Sequence, residues 1–276
     1  MQASRRIAVS FVAALLAGVP LSGAMAQDKG KVEVLWLGHA AARITTTSGK
    51  VILIDPWLSD NPRTPPEYRK RGALGKVDLI LVTHGHEDHL GDAPALARRY
   101  KAPLWGPAGL NQTLRALGVL PAALAPLMNK GGTITPFPGI KITQVRAEHS
   151  SELLWTNPAT KKKEMHPAGE PVGFIIEFEN GFKIYHMGDT GLFGDMKLIA
   201  DYYKPDLVMI PVGGHFGMNP KDAAYATREW LKPKYAIPIH YGTLPALAGT
   251  AKDYMQALGN APTKVLPLEP GEKIAF

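Results

Sequence analysis

A chain of 276 residues with 45% hydrophobic and 20% charged residues has the makeup of a globular protein, long enough for one large core or two small ones. Its 31 basic residues outnumber 24 acidic ones, for a formal charge of +7, but they are spread out, with short runs at Arg69-Lys70-Arg71 and Lys161-Lys162-Lys163. No basic stripe interleaved with aromatics appears, which argues against a nucleic-acid partner, and the absence of cysteine removes both disulfides and thiolate ligands.

Arg5-Arg6 is followed by an apolar stretch over 7–19, then Pro20, then Ala24-Met25-Ala26 before Gln27. This reads as a signal peptide of residues 1–26, cleaved after Ala26, that sends the protein to the periplasm by the secretory or twin-arginine route. The apolar stretch is too short to remain as a membrane anchor. Cleavage removes two arginines and leaves 29 basic against 24 acidic residues, or +5. Such a surface is compatible with an anionic small-molecule substrate or with membranes, although both short basic runs read as solvated loop charge. No linker divides the remainder, so 27–276 reads as one domain.

Residues 32–37, 42–47 and 51–54 read as three strands with short turns, one marked by Ser48-Gly49, the third ending in Asp55-Pro56-Trp57. Prolines 62, 65 and 66 predict an irregular excursion over 58–75. The apolar run 77–82 reads as a buried strand. At its end stands Thr83-His84-Gly85-His86-Glu87-Asp88-His89. In an extended chain His84 and His86 project to one side, Gly85 lets the backbone turn, and Asp88 and His89 lie where a helix begins. Imidazoles and carboxylates so closely spaced suit a borderline cation such as zinc.

Asp92 is placed to cap a helix over 93–100, with Pro94 tolerated in its first turn. A short strand at 103–105, a helix over 108–117, and a hairpin of 133–137 and 140–146 turning at Pro138-Gly139 follow. The polar stretch 150–171 reads as a long surface loop. Strands 172–178 and 182–186 pair through Asn180-Gly181. A helix over 192–203, a buried strand over 206–212, a helix from Asn219-Pro220 to about 231, and a strand 235–239 ending on His240 come next. A helix over 244–258 and short strands at 264–266 and 273–275 complete the chain.

The T-H-G-H-E-D-H stretch resembles the metal motif of the metallo-β-lactamase superfamily. W-L-G-H-A at 36–40, M-N-K-G-G at 128–132, A-E-H-S-S at 147–151, H-M-G-D-T-G-L-F-G-D at 186–195 and I-P-I-H-Y at 237–241 agree with it. Together they resemble a branch of metal-dependent hydrolases related to the ascorbate-phosphate lactonases. The resemblance implies an α+β fold, a four-layer αβ/βα sandwich of two mixed sheets packed face to face with helices outside. It also implies two divalent metal ions, zinc by default, with manganese or iron accepted by the same donors. His84, His86 and His149 would hold one; Asp88, His89 and His240 the other; Asp189 matches the carboxylate that bridges both.

The activity so implied is hydrolysis of an ester-like bond, in a lactone or phosphate ester, by a hydroxide held between the cations. Asp88 is a candidate proton relay, and His215 and Tyr241 are candidates for leaving-group acid or oxyanion donor. His39 and His215 are candidates for substrate contact; His166 and His186 read as structural. A thioester hydrolase of the glyoxalase II type would share Asp189. The β-lactamases share H-x-H-x-D-H but lack that bridging aspartate. A flavo-diiron redox enzyme would need a glutamate in place of His86, and a metal-binding protein without turnover is the reading outside enzymes.

Overall fold

The structure, a computed structural model, describes residues 30–70 and 72–276; the signal peptide expected over 1–26 lies outside the described residues. The strands are β1 (Glu33–Gly38), β2 (Ala41–Thr45), β3 (Val51–Ile54), β4 (Leu79–Leu81), β5 (Leu104–Trp105), β6 (Thr133–Phe137), β7 (Ile140–Arg146), β8 (Glu152–Thr156), β9 (Lys163–Pro167), β10 (Val172–Glu177), β11 (Lys183–His186), β12 (Leu207–Pro211), β13 (Tyr235–Ile239), β14 (Lys264–Val265) and β15 (Lys273–Ala275). The helices are α1 (Pro66–Arg69), α2 (Glu87–Leu90), α3 (Ala93–Tyr100), α4 (Ala108–Ala116), α5 (Asp195–Tyr203), α6 (Pro220–Tyr225) and α7 (Ala251–Leu258), with a π-helical turn at Ala226–Leu231.

One sheet has the order β15-β1-β2-β3-β4-β5 and the other β14-β13-β12-β11-β10-β7-β6. Parallel strands covered on both faces must be apolar throughout rather than alternating, and β3 and β12 are buried at every position. Trp36, Ile52 and Ile54 from the first sheet meet Phe174, Met209 and Ile237 from the second in a central core. Leu53 and Ile80 point the other way, onto Leu96 of α3 and Leu110 of α4. Tyr185 and Val208 likewise meet Met196 of α5, Ala223 of α6 and Tyr254 of α7. The layers are therefore helix, sheet, sheet, helix, the expected αβ/βα sandwich.

Chain direction decides where the loops open. β1 and β3 both run antiparallel to β2, and β4 runs parallel to β3, so these three point one way. β7 and β11 both run antiparallel to β10, and β12 and β13 follow β11 in parallel. His39, Asp55 and the 84–89 segment follow β1, β3 and β4; His149, Asp189 and His240 follow β7, β11 and β13. At this edge Val172 N donates to Thr83 O and His240 N to His39 O, both at 3.0 Å. Buried His186 adds a bond from Nε2 to Ala40 O at 2.9 Å. The six segments are thus drawn to one rim where the sheets meet.

Some expectations change. Within 58–75 a single turn, α1, forms because Pro66 occupies its first position, where the missing N–H costs nothing. The stretch 150–171 is not a loop: β8 and β9 pair antiparallel, Leu154 opposite Met165. Pro158 falls in the connecting turn and Pro167 at the strand end, so neither breaks the ladder. The last helix starts at Ala251, not 244, because Thr250 caps it by accepting from Asp253 N at 3.1 Å. Helix α5 starts at Asp195 rather than 192. The Asp92 side chain makes no cap; its carboxylate accepts from the amides of Leu58 and Ser59 at 3.0 and 2.8 Å.

Gly85 is required for space. A Cβ there would lie 2.3 Å from the Ala168 Cβ and 3.0 Å from the Glu152 carbonyl oxygen. Gly85→Ala is expected to lower stability by about 1–3 kcal/mol, as overpacked sites do. The readout is a lower denaturant midpoint at unchanged slope.

Candidate metal centre

One carboxylate oxygen sits among three rings. Asp189 Oδ2 lies 3.0 Å from His240 Nε2, 3.3 Å from His89 Nε2 and 3.6 Å from His149 Nε2. Asp88 Oδ2 lies 3.8 Å from His240 Nε2 and 3.9 Å from His89 Nε2. Donor atoms of His84, His86 and His149 form one group within 4.8 Å of one another, those of His39, Asp88, His89 and His240 a second, and those of His84, His89 and Asp189 a third. All seven ligands expected from the sequence converge.

The hydrogen-bond network assigns the ring tautomers. Asp55, fully buried at the end of β3, accepts from the Thr83 amide at 2.7 Å and, through Oδ2, from the Thr83 hydroxyl at 2.7 Å and His89 Nδ1 at 2.8 Å. Thr83 has one hydroxyl proton and gives it to Asp55, so it accepts from His84 Nδ1 at 3.0 Å. With their Nδ1 protons engaged, both rings turn Nε2 toward the cluster, where it would be the atom offered to a cation. His86 is reversed: its Nε2 donates to Glu152 Oε2 at 3.0 Å, and its Nδ1 faces His84 Nε2 at 2.9 Å. Rings fixed by a carboxylate behind them are the usual form of metal-ligating histidine.

The residues fit a cation. Asp189 Oδ1 is buried with no hydrogen-bond partner, while buried His89 Nε2 and His240 Nε2 face the Asp189 and Asp88 carboxylates. A buried acceptor costs about 1–3 kcal/mol if nothing satisfies it. A site of only imidazole nitrogen and carboxylate oxygen matches what a borderline divalent ion requires. The backbone is also strained there: His39, Asp55 and His240, each directly after a strand, have φ of 56°, 44° and 55°. Such left-handed residues cost roughly 1–3 kcal/mol each and gather where geometry serves function.

Electrostatics divide the rings into two kinds. Burial lowers His84 far below the ordinary imidazole range, with His89 adding to it, and burial lowers His149 as well. His39 is lowered to about 4, by burial and by His240. Burial also opposes a charge on His89 and His240, but Asp189 outweighs it and raises both, joined at His89 by Asp88 and Asp55. In turn, His240 and His89 overcome burial to hold the Asp189 carboxyl well below its usual range, and His89, His240 and His39 do so for Asp88.

In the metal-free protein His89 and His240 therefore keep their protons to higher pH than free imidazole, and a cation must expel them. Zinc binding is expected to release protons, measured by calorimetry in buffers of different ionisation enthalpy. Affinity should strengthen as pH rises through the range in which these two rings lose their protons.

The other expected site residues are placed differently. His39 is no substrate contact: its side chain is fully buried behind Asp88, with Nε2 3.0 Å from Asp88 Oδ2. His215 is exposed, its ring against Phe216, and Tyr241 stacks on Trp36 and packs into the core, where burial raises its phenol. Neither is brought to the donors or to the cleft before them. His186 accepts from Gly188 N, and His166 lies against Trp155 and Glu164. Asp55 and Glu152 were not singled out by the sequence. For Asp55 the signal was an acid directly after a buried strand; Glu152 acts on a ring 66 residues away and left none.

A cleft of about 900 Å³ opens in front of the donors, with Asp88, His149, Asp189 and His240 in its lining. Residues 50–241 match the family model described as the Beta-lactamase superfamily domain. A "UPF0173 metal-dependent hydrolase" of Polaromonas sp. is 63% identical over 264 residues, covering 95% of this chain and 97% of that one. One from Rubrobacter xylanophilus is 41% identical, covering 89% and 97%. Among solved structures, Igni18, a metallo hydrolase of Ignicoccus hospitalis, superposes with a TM-score of 0.74 at 33% identity, covering 89% of this chain and 98% of its own. The sandwich with its histidine- and aspartate-bearing edge is thus the metallo-β-lactamase fold, and this chain belongs to the β-lactamase superfamily, in the family of UPF0173 metal-dependent hydrolases.

Proposed function

We propose that the protein hydrolyses an ester-like bond of a small molecule, in a lactone or phosphate ester, at a dinuclear site. The observation that carries this reading is Asp189 Oδ2, which lies 3.6 Å from His149 Nε2, 3.3 Å from His89 Nε2 and 3.0 Å from His240 Nε2 and so reaches rings of both proposed sets. His84, His86 and His149 would hold one divalent cation and Asp88, His89 and His240 a second, with Asp189 shared. Zinc suits this set, and manganese or iron would use the same donors. When bound, the pair supplies Lewis acidity and a water ionised near neutral pH.

The chain's own part is to hold geometry and move a proton. Asp55 and Thr83 lock His84 and His89, and Glu152 locks His86, so the donors need little reorganisation during reaction. Asp88 faces the cleft with its side chain 27% exposed. It relays a proton between the attacking water and the leaving oxygen, carrying it only in passing because His89, His240 and His39 keep its carboxyl ionised. Neutral His39 donates Nε2–H to Asp88 and fixes its angle.

The test is purified, metal-loaded protein, expected to carry about two metal equivalents per chain by mass spectrometry. It is assayed on lactones, p-nitrophenyl phosphate esters, thioesters and nitrocefin. Preferred turnover of thioesters or nitrocefin would move it to the glyoxalase II or β-lactamase reading. Full occupancy with no turnover leaves a metal-binding protein, and a single equivalent ends the dinuclear reading.

A further inference from the structure

The cleft wall away from the donors has its own chemistry. Trp57, Leu154, Met165, Phe216 and Leu244 line it, and among the described lining residues there is no lysine or arginine. Met165 is 70%, Phe216 50% and Leu244 38% exposed. Single exposed apolar residues are ordinary, but several large ones around one cleft mark a binding surface. The β8–β9 hairpin is built to present two of them. Leu154 and Met165 stand opposite each other on the cleft side, while Leu153 and Trp155 pack against the first sheet's helices.

The charges at the rim are acidic. Asp60, Glu87 and Glu152 line the cleft beside the donor carboxylates. Glu87 is countered by Lys163 at 3.5 Å. Glu152 receives bonds from His86 and Ser150, both at 3.0 Å. Asp60 is exposed. The rim therefore stays net negative where a second anionic group of a substrate would sit, and its nearest cation, Lys163, is engaged by Glu87.

We infer that the substrate is an uncharged carboxylic ester, lactone or amide carrying an apolar acyl or aryl arm, which lies against Leu154, Met165, Phe216 and Leu244. This rests on the hydrolase reading above and narrows it to substrates with an uncharged apolar arm. The net basic charge of the whole chain does not decide the matter, because a substrate inside a cleft responds to the groups that line it.

Alkyl hydroxamates test the arm without turnover, since the hydroxamate head binds the metal and the tail reports the wall. Calorimetry on zinc-loaded protein would compare acetohydroxamate, octanohydroxamate and octano-chains ending in a carboxylate or an ammonium. The neutral long chain is expected to bind at least about tenfold tighter than the acetyl head, as burial of a few methylenes requires, with the charged tails forfeiting the gain. Phe216→Ala and Met165→Ala should bring that ratio toward one, and Asp60→Lys should narrow the penalty on the carboxylate tail. Equal binding of short and long chains, tightest binding of either charged tail, ratios unmoved by both alanine variants, or no hydroxamate binding at all would overturn the inference. Tight, chain-dependent binding with no hydrolysis of any panel substrate would instead overturn the hydrolase reading and leave the cleft's preference standing.

Discussion

Asp189→Ala is expected to lower kcat/KM by at least about a thousandfold, because in the proposed dinuclear site its carboxylate would be shared by both cations and underlie several kcal/mol of transition-state stabilisation. Metal content should fall with it, since His149, His89 and His240 all face this one oxygen. Asp189→Asn, close in shape, isolates the charge and should lose nearly as much. Retained activity with both metals bound would refute the bridging role.

The same carboxylate shapes the pH dependence of the metal-free protein. The lowered pKa of Asp189 contributes stability above the unfolded carboxylate range, lost as pH falls through the folded value. The raised pKa values of His89 and His240 contribute stability below the unfolded imidazole value, lost as pH rises through the folded ones. Burial lowers His84, His149, His39 and His186, whose stability is full only above the unfolded imidazole value, so metal-free wild type should be most stable near roughly pH 6.5, and Asp189→Ala should move that maximum upward. Denaturant titrations across pH, after chelation, read both effects.

Asp55→Ala is expected to be the most damaging change at a residue outside the donor set. Asp55 is fully buried and accepts from Thr83 N, Thr83 Oγ1 and His89 Nδ1. Removing it strands three donors out of reach of water, and breaking a buried charged pair costs about 3–5 kcal/mol. It also releases the rings of His84 and His89, for which a loss of about 10–100-fold in metal affinity is typical. Asp55→Asn tolerates the left-handed backbone at φ 44° and should fold better, but still binds zinc more weakly. Chelator competition measures the affinity and denaturation of the metal-free protein the stability. Unchanged zinc binding in Asp55→Ala would show that the tautomers are set in some other way.

Where function was written locally, it was legible. His84, His86, Asp88 and His89 fall within six residues after a buried strand, so the spacing itself implied a shared cation. The apolar runs of β3, β4 and β12 likewise announced strands covered on both faces. His149, Asp189 and His240 carried less local signal, and motif resemblance rather than spacing marked them.

The hairpin β8–β9 was read as a loop because its residues are polar and proline-bearing. Its order comes from elsewhere: Leu153 and Trp155 lie on the outer core, and Thr113 of α4 donates to Pro167 O at 2.7 Å. Those contacts supply what a two-stranded sheet lacks on its own.

The amino-acid order alone announced the buried strands and marked His84, His86, Asp88 and His89 as candidate ligands, because burial patterns and ligand chemistry are properties of short stretches; the layered sandwich and the candidates His149, Asp189 and His240 came from motif resemblance. Only the folded chain decided that Asp55 and Glu152 stand behind the rings, that His39 supports Asp88, that His215 and Tyr241 stay apart, and that an acidic, apolar wall faces the donors. Those outcomes depend on strand direction and on contacts between residues tens of positions apart, and no local pattern carries them.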